Sequence, residues 1–233
     1  MAQMPRTVAV IQARMNSTRL PGKVLMPLAG APLLQRLVER VRPARTLDAL
    51  VVATTDTCAD NPVAALCSKL AVSCYRGSET DVLGRMFAAA ATERADILVR
   101  LTADNPFVDA AVIDLVVGQF NTVWPQADYA HNTGENGFPY GLYVEVAAVA
   151  ALRAALQSDD PADREHVTWH IRSRPQQFRH CTVRAPRRFG NDSLSIDTVE
   201  DYLRLRTLFE RHYAADPTFL YTALAEPELT GTV

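Results

Sequence analysis

The apolar positions along the chain switch repeatedly between two periods. Thr7 to Ile11 (TVAVI) is an unbroken, mostly branched run of the kind that fills a buried strand. Leu33, Leu34, Leu37, Val38 and Val41 then fall at helical spacing. Leu50 to Ala53 predicts a second strand, and Asn61-Pro62 opens a helix because proline suits a first turn. Val72 to Tyr75 predicts a third strand, with Thr80 as the N-cap of a helix reaching Arg94. Ile97 to Leu101 is a fourth strand and Val112 to Phe120 a further helix. This alternation predicts an α/β fold, a mostly parallel central sheet with helices on both faces and right-handed crossovers. Ligands of such sheets bind beyond the carboxyl ends of the strands. The loops after Ile11, Ala53, Tyr75 and Leu101 are therefore expected to open onto one crevice.

The second half is less regular. Asn132 to Gly141 (NTGENGFPYG) is rich in turn formers. Strands are expected at Leu142 to Val146, His180 to Arg184 and Leu194 to Ile196, and helices at Val149 to Leu156, Asp163 to Arg172 and Val199 to Tyr213. No repeat or linker interrupts the pattern. The expectation is one domain over residues 1–233, with an excursion around 132–190.

Composition narrows the classes. Of the 233 residues, 48% are apolar and 21% charged, which is ordinary for a globular domain. No run approaches the roughly 20 apolar residues of a membrane span, and the N-terminus lacks a signal-peptide pattern, so a cytoplasmic protein away from membranes is expected. The net charge of −2 gives no global attraction for nucleic acid. Arg172, Arg174, Arg179, Arg184, Arg187 and Arg188 form a loosely basic stretch without interleaved aromatics, which reads as a solvated face. Cys58, Cys67, Cys74 and Cys181 contain no C-x-x-C pair, which argues against zinc or a disulfide framework. His166 and His170 are four apart, but no H-E-x-x-H accompanies them.

The candidate chemistry lies in the predicted loops. Gln12 to Lys23 (QARMNSTRLPGK) follows the first strand directly and holds Arg14, Arg19 and Lys23 within ten residues. Ser17, Thr18 and Gly22 let backbone N–H groups approach an anion. A triphosphate carries about four negative charges, and arginine forks match its oxygens. The loop lacks the first glycine of a Walker A motif and is not G-x-G-x-x-G. Asp104 lies just past the fourth strand, where a carboxylate suits a magnesium ion bridging phosphates; Asp109 is the better cap for the next helix. Asp197 opens the last helix and, read alone, is an N-cap with Glu200 completing a capping box. It could also offer an oxygen to a metal, while Glu200 and Asp201 face solvent or salt-bridge.

The first loop resembles the signature loop of the cytidylyltransferases that activate acidic sugars. These include the acylneuraminate and 3-deoxy-manno-octulosonate enzymes and the branch of spore-coat polysaccharide biosynthesis protein F. Four further stretches are similar to that family: Arg100-Leu-Thr-Ala-Asp104-Asn-Pro, Arg76-Gly-Ser-Glu-Thr-Asp81-Val-Leu-Gly-Arg85, Phe138-Pro-Tyr-Gly-Leu-Tyr-Val-Glu145 and Asp197-Thr-Val-Glu-Asp201. Asp163-Arg-Glu-His-Val-Thr168 adds a weaker match. The likeness spans residues 7 to about 210. It implies a three-layer, Rossmann-like (GT-A-like) nucleotidyltransferase fold whose excursion forms a homodimer contact. Gln12, Ala13, Arg14, Ser17, Thr18, Arg19, Lys23 and Thr102 would bind nucleotide phosphates. Ser78, Asp81 and Arg85 would lie near base and ribose, with Thr54 lining the same pocket. Asp104 and Asp197 would hold Mg²⁺. Arg100, Tyr140, Tyr143 and Glu145 would face the acceptor. The branch usually has aspartate where Tyr140 and Tyr143 stand, and proline is common where Trp169 stands, departures that bear on acceptor identity.

The expected reaction is transfer of CMP from CTP to a small acidic acceptor, with Arg14, Lys23, Asp104 and Asp197 as the catalytic group. The residues alone leave room for another nucleotide with a sugar phosphate or phosphonate, for a catalytically silent nucleotide binder, and for an RNA-binding module.

Overall fold

The first strand, β1 (Thr7–Gln12), divides its side chains between two cores: Val8 and Val10 face one, Ala9 and Ile11 the other. That division is why Val8 to Ile11 shows no polar positions. The computed structural model describes residues 5–187, 189 and 192–224; Arg188 of the basic stretch lies outside them. After β1 come a short hairpin, β2 (Pro27–Leu28) and β3 (Ala31–Pro32), then α1 (Leu33–Val41), β4 (Ala49–Thr55), α2 (Asn61–Lys69), β5 (Ser73–Gly77), α3 (Val82–Thr92), β6 (Ile97–Thr102) and α4 (Ala110–Val123). The second half adds β7 (Tyr129–His131), β8 (Glu145–Ala148), α5 (Val149–Ala155), α6 (Pro161–Glu165), α7 (Trp169–Arg172), β9 (His180–Thr182) and α8 (Val199–Ala215).

Seven strands form one sheet in the order β5-β4-β1-β6-β8-β7-β9. β5, β4, β1 and β6 are parallel, β8 runs against both its neighbours, and β9 is parallel to β7. One face packs against α1, α2, α4 and α8; the other packs against α3, α5 and α7. The result is the expected three-layer, mostly parallel α/β architecture. No helix among the described residues is long and apolar enough to cross a membrane.

Several local expectations need correction. α3 is capped by Asp81, not Thr80: the Asp81 carboxylate accepts from Gly84 N at 2.9 Å. β8 starts at Glu145, three residues later than the pattern suggests. Gly141 before it adopts φ +94°, outside strand geometry. The Asn132 side chain takes the place of a neighbouring strand, donating to Leu142 O at 2.9 Å and accepting from Val144 N at 2.7 Å. The helix expected over Asp163 to Arg172 breaks into α6 and α7, because His166 leaves helical geometry at φ −105°, ψ 88°. Leu194 to Ile196 is extended but joins no ladder; Leu194 N donates to Tyr140 O at 2.7 Å and Ile196 N to Asp104 O at 2.9 Å. The basic stretch is divided among separate partners. Arg174 pairs with Asp163, Arg179 with Asp128, and Arg187 donates to two carbonyls near residue 224.

Candidate active site

β1 and β6 pair in register as far as Gln12 and Thr102, so the chain leaves both strands at the same level of the sheet. Beyond these two carboxyl ends lies a cavity of about 470 Å³. The loop after β1 forms one wall with Arg14, Ser17, Thr18, Arg19 and Lys23; Arg100, Thr102, Asp104 and Asn105 come from β6 and its loop. The opposite wall is Thr133, Tyr140, Tyr143, Glu145 and Arg172, and Asp197 closes the edge. Five cationic side chains face three carboxylates in this lining. The cleft is thus locally positive in a chain of net charge −2, which suits an anionic ligand.

The loop after β1 owes its shape to backbone hydrogen bonds and one buried carboxylate. Met15 O accepts from Ser17 N at 2.9 Å and from Gly22 N at 2.8 Å, closing a tight turn for which Gly22 adopts φ +75°. Asp60, buried at the start of α2, accepts from Met15 N at 2.6 Å and from Thr55 N at 2.9 Å. Burial disfavours the Asp60 charge, yet the Thr55 hydroxyl and these backbone donors outweigh it and hold the carboxyl below its usual range. Asp60 was not among the expected site residues. Nothing in its local sequence marks it, because the group it serves is 45 residues away.

Lys23 draws the acidic residues together. Its Nζ donates to Asp104 Oδ2 at 2.9 Å, to Asp197 Oδ1 at 3.1 Å and to Ile196 O at 2.7 Å. Arg19 adds a second contact to Asp197 Oδ1 at 2.9 Å. The capping question at Asp197 has a structural answer. Thr198 is the N-cap of α8 and forms a capping box with Asp201, whose carboxylate accepts from Thr198 N at 2.9 Å. Asp197 is thereby left free to face the cleft, and Asp201, expected to face solvent or to salt-bridge, caps the helix and also pairs with Arg204 at 3.9 Å. Asp109 caps α4 as expected, accepting from Ala111 N at 2.9 Å.

On the far wall Glu145 is buried and fully engaged. Arg100 Nη1 pairs with Oε2, while the Tyr129 and Thr168 hydroxyls donate to Oε1. Burial works against this charge, but the Arg100 guanidinium and the two hydroxyls hold the carboxyl below the ordinary glutamate range. Tyr140 and Tyr143 meet edge to face at 5.3 Å. Burial and the nearby charges of Asp104 and Asp197 raise the Tyr140 phenol, keeping it neutral.

Five expected nucleotide residues do not line this cavity. Thr54 is wholly buried within β4, and Asp81 is occupied as the cap of α3. Ser78 Oγ accepts from Asp81 N at 3.0 Å, and the buried Arg85 donates to Ser78 O. Desolvation and repulsion from Arg14 lower the affinity of Arg85 for its proton. Ala13 is buried behind the loop, donating its N–H to Ala53 O at 3.1 Å. The segment after β4 braces the first loop through Asp60, and the loop after β5 touches it where the Asn16 amide donates to Glu79 at 3.3 Å. Arg172 and Thr133 line the cleft without having been expected there; their positions depend on how the second half packs.

The cytidylyltransferase family model matches residues 8–221. The chain belongs to the cytidylyltransferase family. This cytidylyltransferase is 37% identical over 210 residues to the spore coat polysaccharide biosynthesis protein SpsF of Bacillus subtilis, covering 87% of this chain and 85% of that protein. It superposes on a cytidylyltransferase from Leptospira borgpetersenii with a TM-score of 0.88 at 29% identity, over 98% of both chains. A CMP:2-keto-3-deoxy-manno-octonic acid synthetase solved with CTP shares the fold, with a TM-score of 0.64 at 20% identity over 89% of this chain and 99% of that one.

Proposed function

We propose that this cytidylyltransferase transfers CMP from CTP to a sugar acid or a related acidic acceptor in surface-polysaccharide or glycan synthesis, releasing pyrophosphate. The observation that carries the reading is the convergence of Lys23, Asp104 and Asp197 at the mouth of a cationic cleft. The likeness to a spore coat polysaccharide protein supports the pathway class, and the fold shared with a sugar-acid synthetase supports the acceptor class.

The reaction asks little covalent work of the protein; positioning and charge neutralisation supply most of the rate. Arg14 makes no ion pair or hydrogen bond among the described residues and is available to β- and γ-phosphate oxygens. Lys23 and Arg19 neutralise charge as pyrophosphate departs. Arg100, held by Glu145, orients the acceptor for attack on the α-phosphorus. Asp104 and Asp197 fit a hard divalent cation: each keeps its second carboxylate oxygen, Asp104 Oδ1 and Asp197 Oδ2, without a hydrogen bond among the described residues. A magnesium ion there would polarise the α-phosphate and lower the acceptor hydroxyl's pKa. The reading includes a homodimer and a cytoplasmic site of action; sedimentation velocity tests the first.

The test is pyrophosphate release with each nucleoside triphosphate and Mg²⁺ against a panel of sugar acids. CTP-dependent release with one acceptor supports the reading. Release only with another nucleotide, or no release together with no CTP binding by calorimetry, rejects it.

A further inference from the structure

Behind the far wall a second cavity of about 390 Å³ adjoins the first. The two share Arg100, Glu145 and Arg172, so these side chains form the partition between them. The remaining lining of the second cavity is Ala162, His166, Thr168 and Trp169.

The charges on this partition are unequal. Glu145 is committed to Arg100 and to the Tyr129 and Thr168 hydroxyls. The Arg172 guanidinium has no ion pair or hydrogen bond among the described residues and rests 5.2 Å from the Trp169 ring centroid. The partition therefore carries one uncompensated positive charge facing both cavities. Two guanidinium groups beside one space suit a carboxylate, which each can meet with paired N–H donors. Trp169 is 40% exposed, and with Ala162 it gives the side cavity an apolar wall. The His166 ring, without a hydrogen bond among the described residues, is its free polar side chain. No carboxylate other than the neutralised Glu145 lines it.

We propose that Arg172 and Arg100 clamp the carboxylate of the acceptor, and that the side cavity takes an uncharged, partly apolar substituent of the same molecule, packed on Trp169. The acceptor class is thus narrowed from any small acid to one carrying a short arm beside its carboxylate. Trp169 lines the side cavity, while Tyr140 and Tyr143 line the main cleft beside Arg100 and Glu145. This inference rests on the transfer reading above and specifies its acceptor.

The experiment compares wild type with Arg172→Met, Arg172→Lys and Trp169→Ala, using CTP and matched sugar acids with and without a short acyl arm, and the carboxamide of each. Calorimetry follows CTP and acceptor binding in parallel. Arg172→Met is expected to raise the acceptor KM about tenfold or more, the loss of one charge-assisted contact, while CTP affinity stays unchanged. Arg172→Lys, which keeps the charge and loses the fork, falls between. The carboxamide weakens wild type but not Arg172→Met. Wild type prefers the acylated acid about threefold or more, and Trp169→Ala abolishes that preference. Equal acceptor KM in wild type and Arg172→Met, or no preference for the acylated acid in wild type, overturns the proposal. Arg172-dependent binding of these acids without turnover keeps the clamp and rejects the transfer reading. Turnover independent of Arg172 does the reverse. Neither binding nor turnover rejects both.

Discussion

The two walls of the cleft are built in different ways. The wall formed by the loop after β1 is one continuous segment, Gln12 to Lys23, leaving a parallel strand; its backbone turn and three cations are neighbours in sequence. The opposite wall gathers Arg100, Thr133, Tyr140, Tyr143, Glu145 and Arg172 from strands, a glycine-rich loop and a short helix. Its supports are single contacts between distant residues: the Asn132 amide on the Leu142–Val144 backbone, and Tyr140 O on Leu194 N. A wall made of one segment tolerates loss of a side chain without losing its shape. A wall made of many segments couples shape to each support, so substitutions there should disturb stability and acceptor use together.

Substitutions can break or sharpen that contrast. The largest effect is expected where the two walls meet, at Asp104→Asn. Turnover should fall by about 10²–10³-fold or more at saturating Mg²⁺, while the melting temperature barely changes because Lys23 keeps Asp197 and Ile196 O as partners. Wild-type turnover would remove Asp104 from the reaction. Next comes Gly141→Ala on the opposite wall. The added Cβ would lie 2.4 Å from the Leu194 carbonyl carbon, at a φ of +94°, and about 2–4 kcal/mol of stability should be lost in urea melts. A stable alanine variant would show that the wall yields without cost. On the wall after β1, Arg14→Ala should weaken CTP binding about tenfold to a hundredfold by calorimetry with an unchanged melting temperature, as its side chain holds nothing in the fold. A falling melting temperature at that position would erase the contrast.

The smallest effect concerns Glu145→Gln and is pH-dependent. Because the folded-state pKa of Glu145 lies below its unfolded value of about 4.3, its charge stabilises the fold fully above that pH. The contribution disappears as pH falls through the folded value. The stability advantage of wild type over Glu145→Gln should therefore shrink on acidification below about pH 4.3 and hold steady above it. An advantage that does not change with pH would mean that shape, not charge, is what Glu145 supplies.

What could be read from the chain follows the same division. TVAVI, the stripe from Leu33 to Val41 and the run from Ile97 to Leu101 announce a parallel sheet, because strands buried on both faces and helices buried on one leave periodic marks in sequence. The loop from Gln12 to Lys23 was legible as a cavity wall for a similar reason: its composition is local, a dense set of cations and small residues at a strand's end. β7 was not legible, since three residues cannot display a period, and neither was the break at His166 between α6 and α7. Asp197 was ambiguous between cap and cleft until Thr198 and Asp201 were seen to form the capping box.

By itself, then, the sequence determined the layer architecture and the dense cationic loop after β1, each encoded in residues a few positions apart. Only the tertiary structure decided that Asp60 braces the loop, that Ser78, Asp81 and Arg85 lie outside the cavity lining, and that Arg172 lines the cleft together with Arg100 and Glu145. Those relations join residues separated by tens of positions through hydrogen bonds and burial. Such pairings leave no periodicity in the chain, because they depend on where the sheet delivers each segment.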